Sequence, residues 1–152
     1  MAFVDYGKAL NSVKTNAILN AMSRYDINSY VDLLEEMNSG CTTEIKLFDE
    51  LCQVKICKGV RQGDTISPRL FALTLEALFN DLDWAEGMEI DGEHLTYLLF
   101  ADDCVISAHD ALELQEKLVQ LQMKSSEIGL EVNLSKTKWI HNQFSPIATA
   151  AN

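Results

Sequence analysis

Two adjacent carboxylates, Asp102 and Asp103, interrupt an apolar run that reads Tyr97-Leu98-Leu99-Phe100-Ala101-Asp102-Asp103-Cys104-Val105-Ile106-Ser107. Leu95–Phe100 before the pair and Cys104–Ser107 after it both favour strands, being rich in aliphatic and aromatic residues. The simplest geometry is a hairpin with both aspartates at its tip. Aspartate is also an ordinary turn residue that bonds its own backbone, so a plain turn and a metal site both fit this stretch alone. A further anionic group would tip the balance. Asp5 supplies one, at the end of a short apolar strand read over Ala2–Tyr6.

If those strands neighbour each other, three carboxylates converge at one end of a sheet. Such a cluster repels itself unless divalent cations neutralise it. Oxygen-only ligands favour Mg²⁺ or Mn²⁺ over zinc. Two such ions, roughly 3.5–4 Å apart, form the clamp of in-line phosphoryl transfer, one activating the attacking oxygen and the other steadying the leaving group.

The remaining pattern alternates helices and strands. Ile18, Met22 and Tyr25 recur at helical spacing, with Thr15 or Asn16 as cap. A second helix fits Asn28 to Met37, with Tyr30, Leu33, Leu34 and Met37 on one stripe and Ser39-Gly40 as the stop. Thr43, Ile45 and Leu47 alternate with Glu44 and Lys46 as a half-buried strand, and Val54 and Ile56 resume the alternation after Asp49-Glu50. Gly59 to Pro68 reads as a loop, and the helix from about Pro68 to Asp81 is apolar nearly all round and therefore deeply buried. Asp91-Gly92 predicts a type I′ hairpin between Met88–Ile90 and Leu95–Leu99. Asp110 with Glu113 opens a helix carrying Leu114, Leu118, Leu121 and Ile128, and Gly129 closes it. Two short strands, about Glu131–Asn133 and Thr137–His141, finish the fold, and the tail from Gln143 reads as flexible. The expected class is α+β, an antiparallel sheet backed by helices, as one domain over residues 1–142.

Composition narrows the setting. At 152 residues, 47% of them hydrophobic, the chain is long enough to bury a core. No run reaches the roughly 18 apolar residues of a membrane helix, and the start lacks the pattern of a signal peptide, so an intracellular protein of cytoplasm or nucleus is expected. Cys41, Cys52, Cys57 and Cys104 show neither CxxC spacing nor paired histidines and read as reduced structural thiols. The net charge of −11, from 12 basic and 23 acidic residues, is the reverse of the basic surface that nucleic-acid binding favours. A chain that opens directly in a core strand further suggests sequence missing upstream.

Four segments carry a family resemblance. Phe3-Val4-Asp5-Tyr6-Gly7-Lys8-Ala9-Leu10-Asn11-Ser12-Val13 resembles the first catalytic motif of reverse transcriptases of non-LTR (LINE-type) retrotransposons. Arg61-Gln62-Gly63-Asp64-Thr65-Ile66-Ser67-Pro68-Arg69-Leu70-Phe71 is similar to their second palm motif, and Phe100-Ala101-Asp102-Asp103 to their paired-aspartate motif. Gly129-Leu130-Glu131-Val132-Asn133-Leu134-Ser135-Lys136-Thr137-Lys138 looks like the fourth motif. Ala-Asp-Asp alone is weak, the second string is specific, and the ordered set spans nearly the whole chain.

The resemblance implies a polymerase palm lacking complete fingers and thumb, with Asp5 and Asp102 as principal ligands of two Mg²⁺ or Mn²⁺ ions and Asp103 in support. It also implies that Tyr6 and Leu10 face the nucleotide and that Gln62 and Gly63 line the incoming nucleotide and template base. Lys136 would sit near the phosphates or be a solvated surface lysine; Arg61 would contact phosphate or be a loop charge. Tyr97 and Phe100 read as core. Expected partners are an RNA template with a DNA primer and dNTPs, together with the missing fingers and thumb regions or a second copy of the chain. The chain departs from the family at Leu10, where an aromatic normally excludes a 2′-hydroxyl, and at Asn11, where a carboxylate is usual. The alternative is a truncated or domesticated, non-catalytic fragment serving as an interaction module. A two-metal nuclease shares the carboxylates but leaves the Arg61–Phe71 string unexplained.

Overall fold

The structure, a computed structural model, describes residues 1–61, 63–84 and 87–142. Gln62 and the tail expected from Gln143 lie outside them. In chain order the elements are β1 (Ala2–Val4), α1 (Ala9–Ser12), α2 (Thr15–Arg24), α3 (Asn28–Asn38), β2 (Thr42–Leu47), β3 (Glu50–Lys55) and α4 (Ser67–Asn80). There follow β4 (Met88–Ile90), β5 (Glu93–Leu95), β6 (Tyr97–Phe100), β7 (Asp103–Ile106), α5 (Ala111–Glu127) and β8 (Lys138–Trp139). Among the described residues every strand pairing is antiparallel, as expected for an α+β chain. The residues gather in two compact units, one of Met1–Ala9 with the chain from Leu78 on, the other of Leu10–Ala77.

The first unit is built on a four-stranded sheet ordered β6-β7-β1-β8. Alternation sorts its side chains: Ala2, Val4, Cys104 and Ile106 are buried, whereas Phe3, Leu98 and Phe100 on the other face are exposed. The buried set packs with Leu78, Phe79, Leu114 and Leu121, and Trp84, Tyr97 and Leu99 flank it. Burial pushes the Cys104 thiol up to about 12, which suits an inert core thiol.

Helix α5 follows its sequence signals closely. The Asp110 carboxylate accepts from Glu113 N–H at 2.8 Å, and Glu113 reaches back to His109 N–H at 2.7 Å. At the other end Gly129, with φ +86°, donates its N–H to Ser126 O, and Leu130 N–H donates to Ser125 O, which satisfies two of the last-turn carbonyls. Lys117 is buried yet fully partnered: it donates to Ser107 O at 3.0 Å and pairs with Glu113 at 2.7 Å. Burial pushes the Glu113 carboxyl up, but hydrogen bonds from Lys117 and His109 N–H outweigh it and hold it below its usual range.

The Asp91-Gly92 turn has the positive φ values, +54° and +85°, that a type I′ turn requires. The strand expected to run on from it breaks at Thr96, whose carbonyl accepts from Ser107 N–H at 2.9 Å. The first strand ends at Val4, and Tyr6 forms only a bridge to Val132, the remnant of the strand expected over Glu131–Asn133.

In the second unit, α2 buries Ile18, Ala21 and Met22 as its spacing predicts. Neither Thr15 nor Asn16 takes the cap position: Lys14 does, extended and bridged to Lys58, with no side-chain hydrogen bond to the helix end. The α3 stripe of Tyr30, Leu33 and Met37 stays largely exposed; with Ile18, Met22 and Leu70 it lines an apolar cavity of about 110 Å³. The β2–β3 hairpin is exposed on both faces, Ile45, Leu47 and Val54 included, so the half-burial read from alternation is not found. Period 2 sets the faces of a strand but not what covers them. Gly59 has φ +88°, and a Cβ there would meet Asn11 O at 2.9 Å, so only glycine fits this approach.

Candidate active site

Strand pairing sets the geometry of the candidate site. The register Ala2–Ile106, Phe3–Val105, Val4–Cys104 carries Asp5, one residue further, to the sheet end where β7 begins at Asp103. The neighbouring turn is Ala101-Asp102, and Asp103 already pairs with Phe100. The hairpin tip therefore lies one residue earlier than the aspartate pair suggests. Burial of Cys104 and Ile106 fixes that register, because a one-residue slip would turn both outward. Ala101 accordingly adopts φ +55°, a left-handed conformation that costs a non-glycine residue about 1 kcal/mol.

Asp5 is held by its backbone. Its carbonyl accepts from Asn133 N–H at 2.8 Å, and Gly7 N–H donates to Glu131 O at 2.9 Å, so the segment around 131–133 brackets it. Its Oδ2 atom is buried and makes no hydrogen bond among the described residues, while Lys136 Nζ stands 3.5 Å away as an ion-pair partner. Asp102 and Asp103 are exposed. Among the described residues no three Asp, Glu, His or Cys side chains stand close enough to form a ready cation cage.

Tyr6 lies in the interior: it is 4% exposed, its hydroxyl shares a 3.2 Å hydrogen bond with Ser125 Oγ, and burial pushes that hydroxyl's pKa up. In this structure it ties the end of β1 to α5, with its polar atom engaged inward. Phe100, read as core, is instead 82% exposed on the open face, while Tyr97 packs at the core's edge, 4.6 Å from Phe79. Alternation in β6 decides between them, since only Tyr97 and Leu99 share the inward face.

A family model described as reverse transcriptase (RNA-dependent DNA polymerase) matches residues 1–147. The chain belongs to the reverse transcriptase family. It is similar to the "Retrovirus-related Pol polyprotein from type-1 retrotransposable element R2" of Nasonia vitripennis, with 31% identity over 87% of this chain and 13% of that protein. The corresponding R2 polyprotein of Bradysia coprophila is 29% identical over 92% of the chain and 16% of its own length. The type-2 element R2DM polyprotein of Drosophila melanogaster is 28% identical over 90% of the chain and 13% of its length. The chain thus spans about an eighth to a sixth of these relatives, and the non-LTR resemblance read from the four motifs holds.

The family's second motif lies in the other unit, as does Leu10. Leu10 is half-buried in α1, and its carbonyl accepts from Val60 N–H at 2.7 Å; Asn11 beside it is exposed. Arg61 donates to Met37 O and Cys41 Sγ, each at 3.3 Å, so its guanidinium is engaged within its own unit. Gly63 has φ +89° with open space around the position of a Cβ, so backbone conformation rather than crowding selects glycine there.

Asn133 escaped the sequence reading. Its carbonyl accepts from Lys136 N–H, Thr137 N–H and Thr137 Oγ1, and its side-chain oxygen accepts from Ser135 Oγ at 2.7 Å. The Asn-Leu-Ser-Lys-Thr composition, rich in side chains that bond local backbone, was the available signal.

Proposed function

We propose that this chain is the palm of an RNA-directed DNA polymerase, with the fingers and thumb elements incomplete. It would transfer a dNMP to a primer 3′-hydroxyl by two-metal chemistry on an RNA template. The observation that carries this reading is the strand register, which sets Asp5, one residue past β1, at the same sheet end as the Asp102-Asp103 hairpin. The residues fit a hard divalent cation, since the donors are all carboxylate oxygens and Asp5 Oδ2 is a buried atom without a hydrogen bond. Asp5 and Asp102 are the principal ligands in this reading, with Asp103 in support. When bound, the cations activate the attacking oxygen and stabilise the leaving group. The exposed face carrying Phe3, Leu98 and Phe100 beside these carboxylates gives the primer terminus an apolar bed.

Gln62 and Gly63 are assigned to the nucleotide and template base and Lys136 to the phosphates, whereas Arg61, which donates to Met37 O and Cys41 Sγ, fits a loop charge better. Tyr6 acts from behind, since its hydroxyl is bonded inward to Ser125. Leu10, smaller than the aromatic usual in the family, leaves discrimination against ribonucleotides weak. Among the described residues no helix is long and apolar enough to cross a membrane.

The test is dNTP incorporation by the full chain on an RNA template with a DNA primer, with Mg²⁺, Mn²⁺ or EDTA. Incorporation that requires a divalent cation supports the polymerase. Its absence under every condition favours the second reading, a non-catalytic interaction module. The exposed apolar residues of β2–β3 and α3 are the surface that such a module would present.

A further inference from the structure

Lys136 is not an ordinary surface lysine. Its backbone belongs to a turn in which Asn133 O accepts from Lys136 N–H at 3.1 Å and from Thr137 N–H at 2.9 Å. The same Asn133 donates its own N–H to Asp5 O at 2.8 Å, so one residue joins the turn of the lysine to the strand end of the aspartate. The resulting placement sets Lys136 Nζ 3.5 Å from Asp5 Oδ2. That oxygen is the buried one without a hydrogen bond, whereas the lysine side chain is 66% exposed.

We infer that Lys136 is the resident counter-ion of Asp5 and competes with the divalent cation for its Oδ2. This rests on the metal-centre reading above. A buried carboxylate oxygen needs a positive partner or a hydrogen bond, and no hydrogen bond reaches this one among the described residues. The ammonium, 3.5 Å away, supplies that charge. Because most of the lysine side chain is in water, an ion pair of this kind is weak, and a dication displaces it at little cost. The lysine is thus a positioning residue, keeping the carboxylate in place and setting the cation concentration at which the site fills.

The test is Mn²⁺ binding to the full chain, read from the electron paramagnetic resonance signal of free Mn²⁺, for wild type, Lys136→Met, Lys136→Arg and Asp5→Asn. Lys136→Met keeps the length of the side chain and removes its charge. It is expected to bind Mn²⁺ about threefold or more tightly than wild type, the scale of a partly exposed ion pair. Lys136→Arg is expected to stay near wild type. Circular dichroism of each variant checks that the fold is retained. Equal or weaker binding by a folded Lys136→Met overturns the competition. If Asp5→Asn also loses the Mn²⁺ site in that case, the metal centre stands and only the role of Lys136 falls. If Asp5→Asn binds as wild type does, both fall.

Discussion

Replacing Asp5 or Asp102 with asparagine is expected to lower cation-dependent primer extension by roughly 10³-fold, each alone, with the far-ultraviolet circular dichroism unchanged. Asparagine keeps the shape and loses the charge, so a divalent cation loses an anionic ligand while the backbone keeps its bonds. Cation stabilisation of a phosphoryl-transfer transition state is worth several kcal/mol, and about 4 kcal/mol corresponds to that factor. The fold should tolerate both changes. Asp102 is an exposed turn residue, and Asp5 is held through its carbonyl bond from Asn133 rather than through its carboxylate. Extension by Asp102→Asn equal to wild type would remove Asp102 from the metal centre. Loss of the dichroism signal would instead give the carboxylate a structural role.

The largest stability effect is expected at Phe79. Its ring is 2% exposed, lies 5.6 Å edge-on to Trp84 and 4.6 Å from Tyr97, and sits in the cluster that includes Val4 and Cys104 behind the carboxylates. Phe79→Ala removes that ring from both aromatic neighbours at once and leaves a void in the core. The expected cost is about 3–5 kcal/mol, read as a lower urea midpoint at unchanged slope. Set against a typical total of about 5–15 kcal/mol, that is a large share of the stability. A cost under about 1 kcal/mol would mean that the surrounding side chains close the gap and that this cluster is not the core.

Local chemistry made parts of this fold legible. Asp91-Gly92, the Asp110–Glu113 cap and Gly129 each encode a backbone geometry in adjacent residues, and each is found where it was expected. The expected pairing of Asp5 with the aspartate hairpin needed β1 beside β7, a contact across about a hundred residues that no local pattern specifies. The four-motif resemblance supplied that expectation. Turn preference pointed to Asp102-Asp103 as the tip, but burial of Cys104 and Ile106 set the register, and Ala101 took the left-handed position instead. Tyr6 reads as a nucleotide contact by motif position, yet its partner Ser125 lies on a distant helix. The Lys136–Asp5 pair was hidden for the same reason: the turn around Asn133 that aims the lysine is a tertiary feature.

The most direct measurement replaces Mg²⁺ with Fe²⁺ and, after adding ascorbate and peroxide, maps where locally generated hydroxyl radicals cut the chain. It requires no catalytic turnover. Cleavage at both the 3–7 segment and the 100–104 hairpin, suppressed by excess Mg²⁺ and lost in Asp5→Asn, is the expected result. Cleavage confined to one of these segments, or unaffected by Mg²⁺, would contradict a shared cation site between Asp5 and the aspartate hairpin.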